Sequence, residues 1–458
     1  MKSLLLSAAI CAAFSASVHA GSTVVNGPMG FNPIAGSAYT QTTTDATILN
    51  SEPWVIPDGF IQGVLSDESD LDIYPGMNDW DDMNTVNESG KHAGRYLYRT
   101  HEVRPPRTGT YTGGSLSVVD LRTGAAKLLA QRVDWEALDG LVWTPWNTLL
   151  FAEEVITAQL RDPDAPNAIS GMLYEMKLEK GDPTTAAEIT VRPMLGSLSH
   201  EGIELDVKGN VYVIDEERSG AIYKFVPEKY GDLSRGQLYA LRVNNGAKTG
   251  VAEWVALDMN QVQISARVAA KAVGATPYCR PEDLERIENM LYAALTCEDA
   301  NNPANTSGPG AVLSISLGST PRVNYFVIPG VNVPLEVRPT STTAGITGMR
   351  SPDNLANSRD GKLWIVEDNT NSDIWVALPD RNGDGLSDGV HLFASLKDAP
   401  AEGTGIYFGK DLRTLFVNIQ HSGTGNDKTV AIIKRQNGER DDDDDRNNRD
   451  DDDDKHNE

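Results

Sequence analysis

Short runs of β-branched and aromatic residues recur along the chain, each preceded by an acidic or glycine-containing segment and a polar turn. The run at 211–214 is an example, since it follows the turn at 208–210 and leads into the acidic residues 215–217. Runs of this length between Gly, Asn and Asp turns predict short antiparallel strands joined as hairpins. Five clear copies begin near residues 139, 201, 282, 353 and 402, and a sixth contains 95–102 and 115–119.

The spacing of the copies predicts the fold. Successive copies start 49 to 81 residues apart, whereas a bare four-stranded propeller blade takes roughly 40 to 50 residues. We therefore expect inserted loops, and a helix at 259–273 before the third copy. The sequence predicts an all-β protein, a six-bladed β-propeller with inserted loops and one short helical insertion.

Both ends of the chain differ from this repeat. Residues 1–20 hold one lysine, an apolar run and a small-residue cleavage site, as secretory signal peptides do. Residues 439–458 contain two aspartate runs, which predict a disordered acidic tail. We assign 21–438 to the propeller and expect a secreted protein, periplasmic or extracellular. No later segment reaches about 18 uncharged apolar residues, so we expect no membrane insertion.

The formal net charge of the chain is -25, and most of it lies in the predicted propeller. Without the single positive charge of the leader and the eight net negative charges of the tail, residues 21–438 keep -18. This excess disfavours nucleic acid and anionic membranes, because both repel it, and it suits a protein that binds cations. We expect a monomer that binds no nucleic acid.

The cysteines predict one disulfide. Cys11 lies in the leader, which leaves Cys279 and Cys297 in the propeller. An even pair in an oxidising compartment favours a bridge between them. Two free thiols are the alternative, since sequence does not give the geometry that a bridge requires.

A propeller arranges equivalent residues of every blade around one channel, so its acidic strand ends should converge at the channel mouth. Carboxylates that meet in this way cannot all stay ionised without cations. The alternative is that each acid caps a turn of its own blade. The residues expected at the mouth are Glu102, Glu153, Glu201, Glu282, Asp353, Glu367 and Glu402.

Residues 380–388 match the first part of a calcium-binding loop. Oxygen donors stand at alternate positions, and Gly385 allows the sharp turn that folds them around one ion. The twelfth position is His391 rather than a bidentate glutamate, so we expect no complete helix-loop-helix site; a polar hairpin turn is the alternative. The predicted ligands of this structural calcium are Asp380, Asn382, Asp384, the carbonyl of Leu386, and Asp388.

Arg280 stands two residues before Glu282, a spacing that places both side chains on one face of a strand. An arginine offers two parallel N–H donors to phosphate oxygens and stays charged, so the pair could hold a phosphate beside a cation. A structural salt bridge is the alternative. The chain has no H-E-x-x-H or Walker motif, and its G-x-S-x-G match at 385–389 lies inside the predicted calcium loop, which argues against serine hydrolases and zinc proteases.

Several of these segments resemble the PhoX-type alkaline phosphatases, which are secreted, calcium-dependent six-bladed propellers. The resemblance runs from about residue 95 to residue 421, most of the mature chain. It is carried by the segments 143–154, 200–202, 222–227, 236–240, 280–283, 351–355 and 402–405.

The resemblance implies a small phosphomonoester bound over a cluster of calcium and iron ions at the channel mouth. It implies that Arg280 holds the phosphate and that Arg280 and Glu282 serve catalysis. It implies Glu201, Glu282 and Glu367 as metal ligands. The residues that correspond to calcium-side ligands are Glu153, Glu154, Asp353 and Glu402.

One position departs from the family pattern. The family has a cysteine that binds iron directly before its Glu-Glu pair, whereas this chain has Ala152, whose methyl group cannot bind a metal. We therefore expect several calcium ions and leave the presence of iron open. A free Cys279, next to Arg280, would be one substitute for the missing thiolate.

The leading hypothesis is a secreted, calcium-dependent phosphatase that acts on phosphate monoesters. One alternative is a calcium-dependent propeller hydrolase of another ester, such as a lactonase. The other is a calcium-binding propeller without catalytic activity, for which Ala152 is the main argument.

Overall fold

The computed structural model describes residues 24–34, 41–75, 78–104, 113–155, 161–168, 171–333, 348–369 and 372–436. The predicted leader at 1–20 and tail at 439–458 lie outside these residues. The strands are β1 (Trp54–Val55), β2 (Phe60–Asp67), β3 (Asp81–Val86), β4 (Tyr96–His101), β5 (Ser115–Asp120), β6 (Ala126–Gln131), β7 (Leu138–Trp143), β8 (Thr148–Glu153), β9 (Leu173–Glu179), β10 (Asp182–Val191), β11 (Ile203–Leu205), β12 (Val211–Ile214), β13 (Ile222–Lys229), β14 (Asp232–Val243), β15 (Gly250–Ala256), β16 (Pro281–Ile287), β17 (Met290–Leu295), β18 (Ala311–Ser316), β19 (Arg322–Val327), β20 (Pro352–Asn357), β21 (Leu363–Glu367), β22 (Asp373–Ala377), β23 (Val390–Leu396), β24 (Glu402–Phe408), β25 (Thr414–Gln420) and β26 (Lys428–Lys434). The helices are α1 (Ala46–Leu49) and α2 (Met259–Ala272), with single 3-10 turns at Pro193–Leu195 and Asn244–Gly246.

The described strands form five antiparallel sheets, in which neighbours in sequence are usually neighbours in space. Strands β3 to β6 and β7 to β10 each make a four-stranded meander. Strands β11 to β19 make one nine-stranded sheet, in which β15 and β19 join two meanders through Gly250↔Val323 and Val251↔Arg322. Strands β20 to β23 are extended by β1, and β24 to β26 by β2. The prediction of a β-propeller is confirmed, while the number of blades stays a prediction because the nine-stranded sheet is continuous.

The N-terminal strands complete the last two sheets. Strand β2 pairs with β26 from Phe60↔Lys434 to Asp67↔Lys428, so the start and the end of the described chain share one sheet. Strand β1 pairs with β23 in the sheet before it. Pairing of this kind ties the N-terminal and C-terminal parts of the described chain together in the last two sheets of the ring.

The first strands of the meanders surround a common axis. Strands β3, β7, β11, β16, β20 and β24 contact one another in this order, and β24 contacts β3 again. Neighbouring members of this ring do not pair as ladders; polar groups link them instead. Asp283 Oδ2 accepts a hydrogen bond from the N–H of Leu355 at 2.7 Å, and Asn354 Oδ1 accepts one from the N–H of Gly405 at 2.5 Å. These links fix how closely the strand ends approach each other.

Apolar residues fill the spaces between neighbouring sheets. The largest buried cluster joins the last two sheets and includes Trp54, Trp364 and Phe393. Another lies between β8, β13 and α2 and includes Tyr223 and Ala266. Burial of these large side chains is the main stabilising contribution available to a β-sheet protein of this size.

Two local predictions are confirmed. The helix expected at 259–273 is α2, which begins after the capping residue Asp258 and is interrupted by extended backbone at Ser265. Cys279 and Cys297 form a disulfide, with their Cα atoms 5.2 Å apart. The bridge removes Cys279 as a substitute thiolate ligand. No helix in the described part of the chain is long and apolar enough to cross a membrane.

The predicted sixth copy was incomplete. The runs at 95–102 and 115–119 are β4 and β5, but the first strand of this meander is β3, which the sequence pattern did not indicate. Strand β3 has the sequence DDMNTV, and all six residues are buried. Its polar residues face the ring rather than solvent, so the alternation typical of a surface strand is absent.

Gly140 should tolerate no side chain, because a Cβ there would lie 1.9 Å from the carbonyl oxygen of Glu201 on the neighbouring part of the ring. We expect Gly140→Ala to lower the free energy of unfolding by about 3 kcal/mol, the upper range for overpacking, since backbone must move. Gly63 is the matched control, as a Cβ there has no neighbour within 4 Å. Denaturant titration of both variants measures the difference, and equal stabilities would contradict the close approach.

Candidate metal centre

One end of the axis, called the mouth, collects the acidic residues of the strand ends. The first strands of the meanders start at this end, and the antiparallel second strands finish there; Asp81, for example, pairs with His101, and Pro352 with Glu367. The mouth acids at or just before the starts of first strands are Asp82, Asp139, Glu201, Glu282, Asp353 and Glu402. Those just after the ends of second strands are Glu102, Glu154, Glu216 and Asp368.

Three overlapping groups of mouth acids lie close enough to share cations. In each group, one carboxylate oxygen from each of three residues lies within 4.8 Å of the others. Asp139 and Glu201 each belong to two groups, so the groups form one continuous arc. The groups are Asp82, Glu102 and Asp139; Asp139, Glu154 and Glu201; and Glu201, Glu282 and Asp353.

Burial and mutual repulsion raise the pKa of six of these carboxyl groups well above the usual range, namely Asp82, Asp139, Glu154, Glu201, Glu282 and Asp353. Burial is the largest cause for Asp139, Glu201 and Asp353, and neighbouring acids add to it. Among the described residues, nothing donates a hydrogen bond to the buried Oδ1 of Asp139. Acids that cannot ionise together, with an unpaired oxygen among them, fit bound cations that would supply the missing positive charge.

Four mouth acids each stand two positions after a residue whose backbone is left-handed. The φ angles of these residues lie between 45° and 50°, in a region that costs a non-glycine residue about 1 kcal/mol or more. The same local turn therefore recurs in four meanders where the chain enters the mouth, and it directs the following acid toward the axis. The pairs are Trp80 with Asp82, Ala137 with Asp139, Arg280 with Glu282, and Ser351 with Asp353.

Arg280 supplies positive charge beside the arc. Its Nε lies 2.7 Å from Oε1 of Glu216 and 3.0 Å from Oε1 of Glu282, and its Nη2 lies 3.9 Å from Oδ2 of Asp368. These carboxylates raise the pKa of Arg280, which keeps the guanidinium charged. About a third of the side chain, 34%, remains exposed, so part of the guanidinium can meet a ligand.

The structure brings together most of the acids that were predicted at the mouth, including Glu102. Glu154, Glu201, Glu282 and Asp353 belong to the three groups. Glu402 lies beside them, where burial and a hydrogen bond with Asp368 raise its pKa.

Glu153 and Glu367 are not brought to the arc. Oε1 of Glu153 accepts the N–H of Glu136 at 3.1 Å and Oε2 accepts that of Met172 at 2.9 Å, and burial raises the pKa of Glu153 to about 8. Oε1 of Glu367 accepts the N–H of Arg350 and the indole N–H of Trp375. Both carboxylates thus hold together their own meander, as the turn-capping alternative describes.

Sequence reasoning missed four mouth acids, and the strand pleat explains two of them. Successive side chains of a strand point to opposite faces, so the residue after an outward-facing strand end faces the mouth. Asp368 therefore lies where Glu367 was expected, and Glu216 follows the outward-facing Asp215 in the same way. Asp82 and Asp139 are the second residues of first strands, at positions equivalent to Glu282 and Asp353.

The predicted calcium loop lies between β22 and β23, away from the mouth. Asp380 accepts the N–H groups of Gly383 and Gly385, at 2.7 and 2.8 Å, and Asn382 accepts that of Asp384. In the described residues, the groups of three acids whose carboxylate oxygens lie within 4.8 Å of one another do not include Asp380, Asp384 or Asp388. A calcium ion in this loop stays a prediction.

The remaining motif residues have structural roles. His101 is buried between Asp81, at 2.9 Å, and the hydroxyl of Ser117, at 2.8 Å. Burial lowers the pKa of His200 to about 4, so this histidine is neutral. Ala152 is buried in the apolar cluster between β8 and β13, on the same strand face as Glu154.

The fold and the mouth together define a class, a β-propeller whose channel ends in a buried, polyacidic centre suited to metal cations. The family model of the alkaline phosphatase PhoX matches residues 142–423, more than half of the chain. The chain belongs to the PhoX alkaline phosphatase family. Membership supports a phosphatase-type function.

The solved structure of a PhoX protein agrees with the fold. PhoX of Pseudomonas fluorescens, in complex with the transition state analogue vanadate, matches with a TM-score of 0.61 and 18% identity, over 89% of this chain and 98% of that chain. The calcium structure of a Trichoderma reesei carbohydrate-active enzyme of family AA12 has a TM-score of 0.43 and 11% identity, over 84% and 98% of the two chains. Comparison with curated protein sequences gives no match.

Removal of cations should destabilise the protein more at high pH than at low pH. Because the pKa values of Asp139, Glu201 and Asp353 are raised in the folded state, the folded metal-free protein binds more protons than the unfolded chain, and its stability falls as pH rises through those values. We expect the Tm of chelator-treated protein to fall from about pH 5 to about pH 8. Added calcium should reverse this fall, by about 3 kcal/mol at a hundred times its Kd.

Circular dichroism during heating measures these effects. Asp353→Asn should flatten the pH dependence and reduce the response to calcium, since it removes one of the repelling charges. Asp411→Asn is the matched control at an exposed position, and it should change neither. A metal-free protein whose Tm rises over the same pH range would contradict the mutual repulsion inferred for the acids at the mouth.

Proposed function

We propose that the protein is a secreted, calcium-dependent phosphatase that hydrolyses phosphate monoesters at the mouth. The observation that carries the proposal is the continuous arc of carboxylates with Arg280 beside it. Family membership supports the reaction class and a small phosphorylated substrate. The leader-like segment 1–20 supports secretion, to the periplasm or the medium.

The donor set favours hard cations. Every member of the three groups is an aspartate or a glutamate, and calcium takes six to eight such oxygen ligands in flexible geometry. Several calcium ions would be held by Asp82, Glu102, Asp139, Glu154, Glu201, Glu282 and Asp353. Bound cations would polarise phosphoryl oxygens and offset the charge that builds up in the transition state.

Arg280 is the residue suited to orient the phosphate. Its Nε lies within ion-pair distance of Glu216 and Glu282, and about a third of the side chain is exposed, so the outer edge of the planar guanidinium, with its remaining N–H groups, is available at the mouth. Arginine binds phosphate oxygens through two parallel hydrogen bonds, which fix orientation as well as charge. Glu216 and Glu282 hold the group in place, so it needs little reorganisation when an ester arrives.

Iron is not part of the proposal, because the described residues offer no thiolate at the mouth. Cys279 is bound to Cys297, and the position of the family cysteine is taken by Ala152. Carboxylates alone select calcium, magnesium or manganese rather than a thiolate-bound metal.

Hydrolysis of p-nitrophenyl phosphate tests the proposal. We expect activity with calcium, loss of activity with chelator, and recovery when calcium is returned. Arg280→Ala should lower kcat/KM roughly 10²- to 10³-fold, as the loss of one charge-stabilising donor does. Arg242→Ala is the matched control, since Arg242 forms an exposed pair with Glu253. Inactivity toward phosphate esters with hydrolysis of lactones would favour the lactonase alternative, and inactivity toward both the non-catalytic one.

Metal analysis of the purified protein gives an independent test. We expect several calcium ions per chain without stoichiometric iron, and less calcium in Glu282→Gln. Asp450→Asn, in the acidic tail, should leave the metal content unchanged. Ala152→Cys should increase bound iron, because its sulfur would lie on the strand face of Glu154. A stoichiometric iron pair in the unmodified protein would refute the role assigned to Ala152.

A further inference from the structure

Helix α2 packs on the sheet that contains β13 and β14 through its smallest side chains. Ala266, Ala269 and Ala270 are buried there against Tyr223 and Leu238. Alanine side chains fill less of the space between a helix and a sheet than larger apolar side chains do. A pocket of about 250 Å³ remains beside Ala270.

The hydroxyl group of Tyr223 faces this pocket without a partner. Tyr223 is fully buried and lines the pocket, and its Oη makes no hydrogen bond to any described residue. Burial raises the pKa of Tyr223, so the hydroxyl stays protonated and can donate. A buried hydroxyl without a partner costs about 1–3 kcal/mol, which an acceptor in the pocket would recover.

The unpaired charge at the rim of the pocket is positive. Arg267 lies in the wall, but its guanidinium is engaged by Asp215 at 2.5 Å and by Glu217 at 3.1 Å. Lys271 lines the exposed rim, and within the described residues it forms no ion pair or hydrogen bond. The free positive charge of this region is therefore the ammonium group of Lys271. The remaining wall is mostly apolar and includes Ala221, Ala275 and Pro277.

The pocket is separate from the mouth. Asp215 and Glu216 are consecutive, yet Asp215 points to Arg267 and the pocket, whereas Glu216 contacts Arg280 at the mouth. A ligand in the pocket would therefore lie on the outer side of the same strand end, and it needs neither the carboxylate arc nor its cations.

We propose that this pocket binds a small organic anion with a flat apolar body, of the class of aromatic carboxylates. One carboxylate oxygen accepts the hydrogen bond of Tyr223, Lys271 offsets the charge, and the ring lies between the alanines and Pro277. The volume agrees with this class, because a cavity of about 150 Å³ holds benzene and pockets for larger ligands start at about 300 Å³. Binding at this site is independent of the proposed function.

Three probes with one ring and different charges test the proposal: benzoate, benzyl alcohol and benzylammonium. Ligand-observed NMR on the full-length protein measures Kd, with inorganic phosphate present to occupy any anion site at the mouth. We expect benzoate to bind most tightly, and benzylammonium not to bind. Tyr223→Phe should weaken benzoate about tenfold or more, as loss of a hydrogen bond to a charged group does. Lys271→Gln should weaken benzoate up to about fivefold and leave benzyl alcohol unchanged.

Two further variants test whether benzoate binds in this pocket. Ala270→Leu fills the pocket and should abolish binding of benzoate and benzyl alcohol, whereas Lys180→Gln, a matched surface lysine outside the pocket, should have no effect. Tyr223→Phe keeps the ring and the fold, so the test does not depend on how Ala270→Leu folds. Benzoate binding that survives Ala270→Leu, equal affinity for the three probes, or no binding to the unmodified protein would each overturn the proposal.

Discussion

Repulsion between carboxylates buried at one end of the channel is the constraint on which the rest of the structure depends. The first strands cannot spread to relieve it, because polar links hold them at fixed separation: Asp283 binds Leu355, Asn354 binds Gly405, and the carbonyl of Glu282 accepts the N–H of Gly202. Positive charge must therefore come from outside the carboxylate set. Arg280 supplies one such charge, and its three acidic neighbours outnumber it. Protons, which the raised pKa values of Asp139 and Glu201 favour, or bound cations would supply the remainder.

The pleat of the second strands divides adjacent acids between two tasks. Glu153, Asp215 and Glu367 face their own meander, where they accept hydrogen bonds from backbone N–H groups, an indole or Arg267. The next residue of each strand end, namely Glu154, Glu216 or Asp368, faces the mouth. Paired acids at these positions are thus not redundant ligands. One member fixes the strand end, and that rigidity places the other within reach of the axis.

The elements that sequence predicts well are those whose pattern depends on local packing. Hairpins such as 211–226 and helix α2 have apolar residues with a clear period, and the pairing of Cys279 with Cys297 follows from the number of cysteines. Strand β3 was missed because its residues face the polar ring, where aspartate and asparagine replace the apolar signal. Glu367 was expected at the mouth in place of Asp368 for a related reason. Composition shows that an acid is present at a strand end, but which face it takes depends on a single-residue register.

The same single-residue register also decides which of two consecutive acids belongs to the carboxylate arc. Glu282 and Asp283 are consecutive in β16, yet only Glu282 belongs to the carboxylate arc. The oxygens of Asp283 accept the N–H groups of Leu284 and Leu355, at 2.6 and 2.7 Å, and burial raises the pKa of Asp283 to about 7. An acid whose two oxygens both accept hydrogen bonds from backbone N–H groups holds strands together and has few free lone pairs with which to bind a cation. The boundary between the carboxylate arc and structural support therefore falls between these two residues, and it would confine bound cations to the end of the channel beside Arg280.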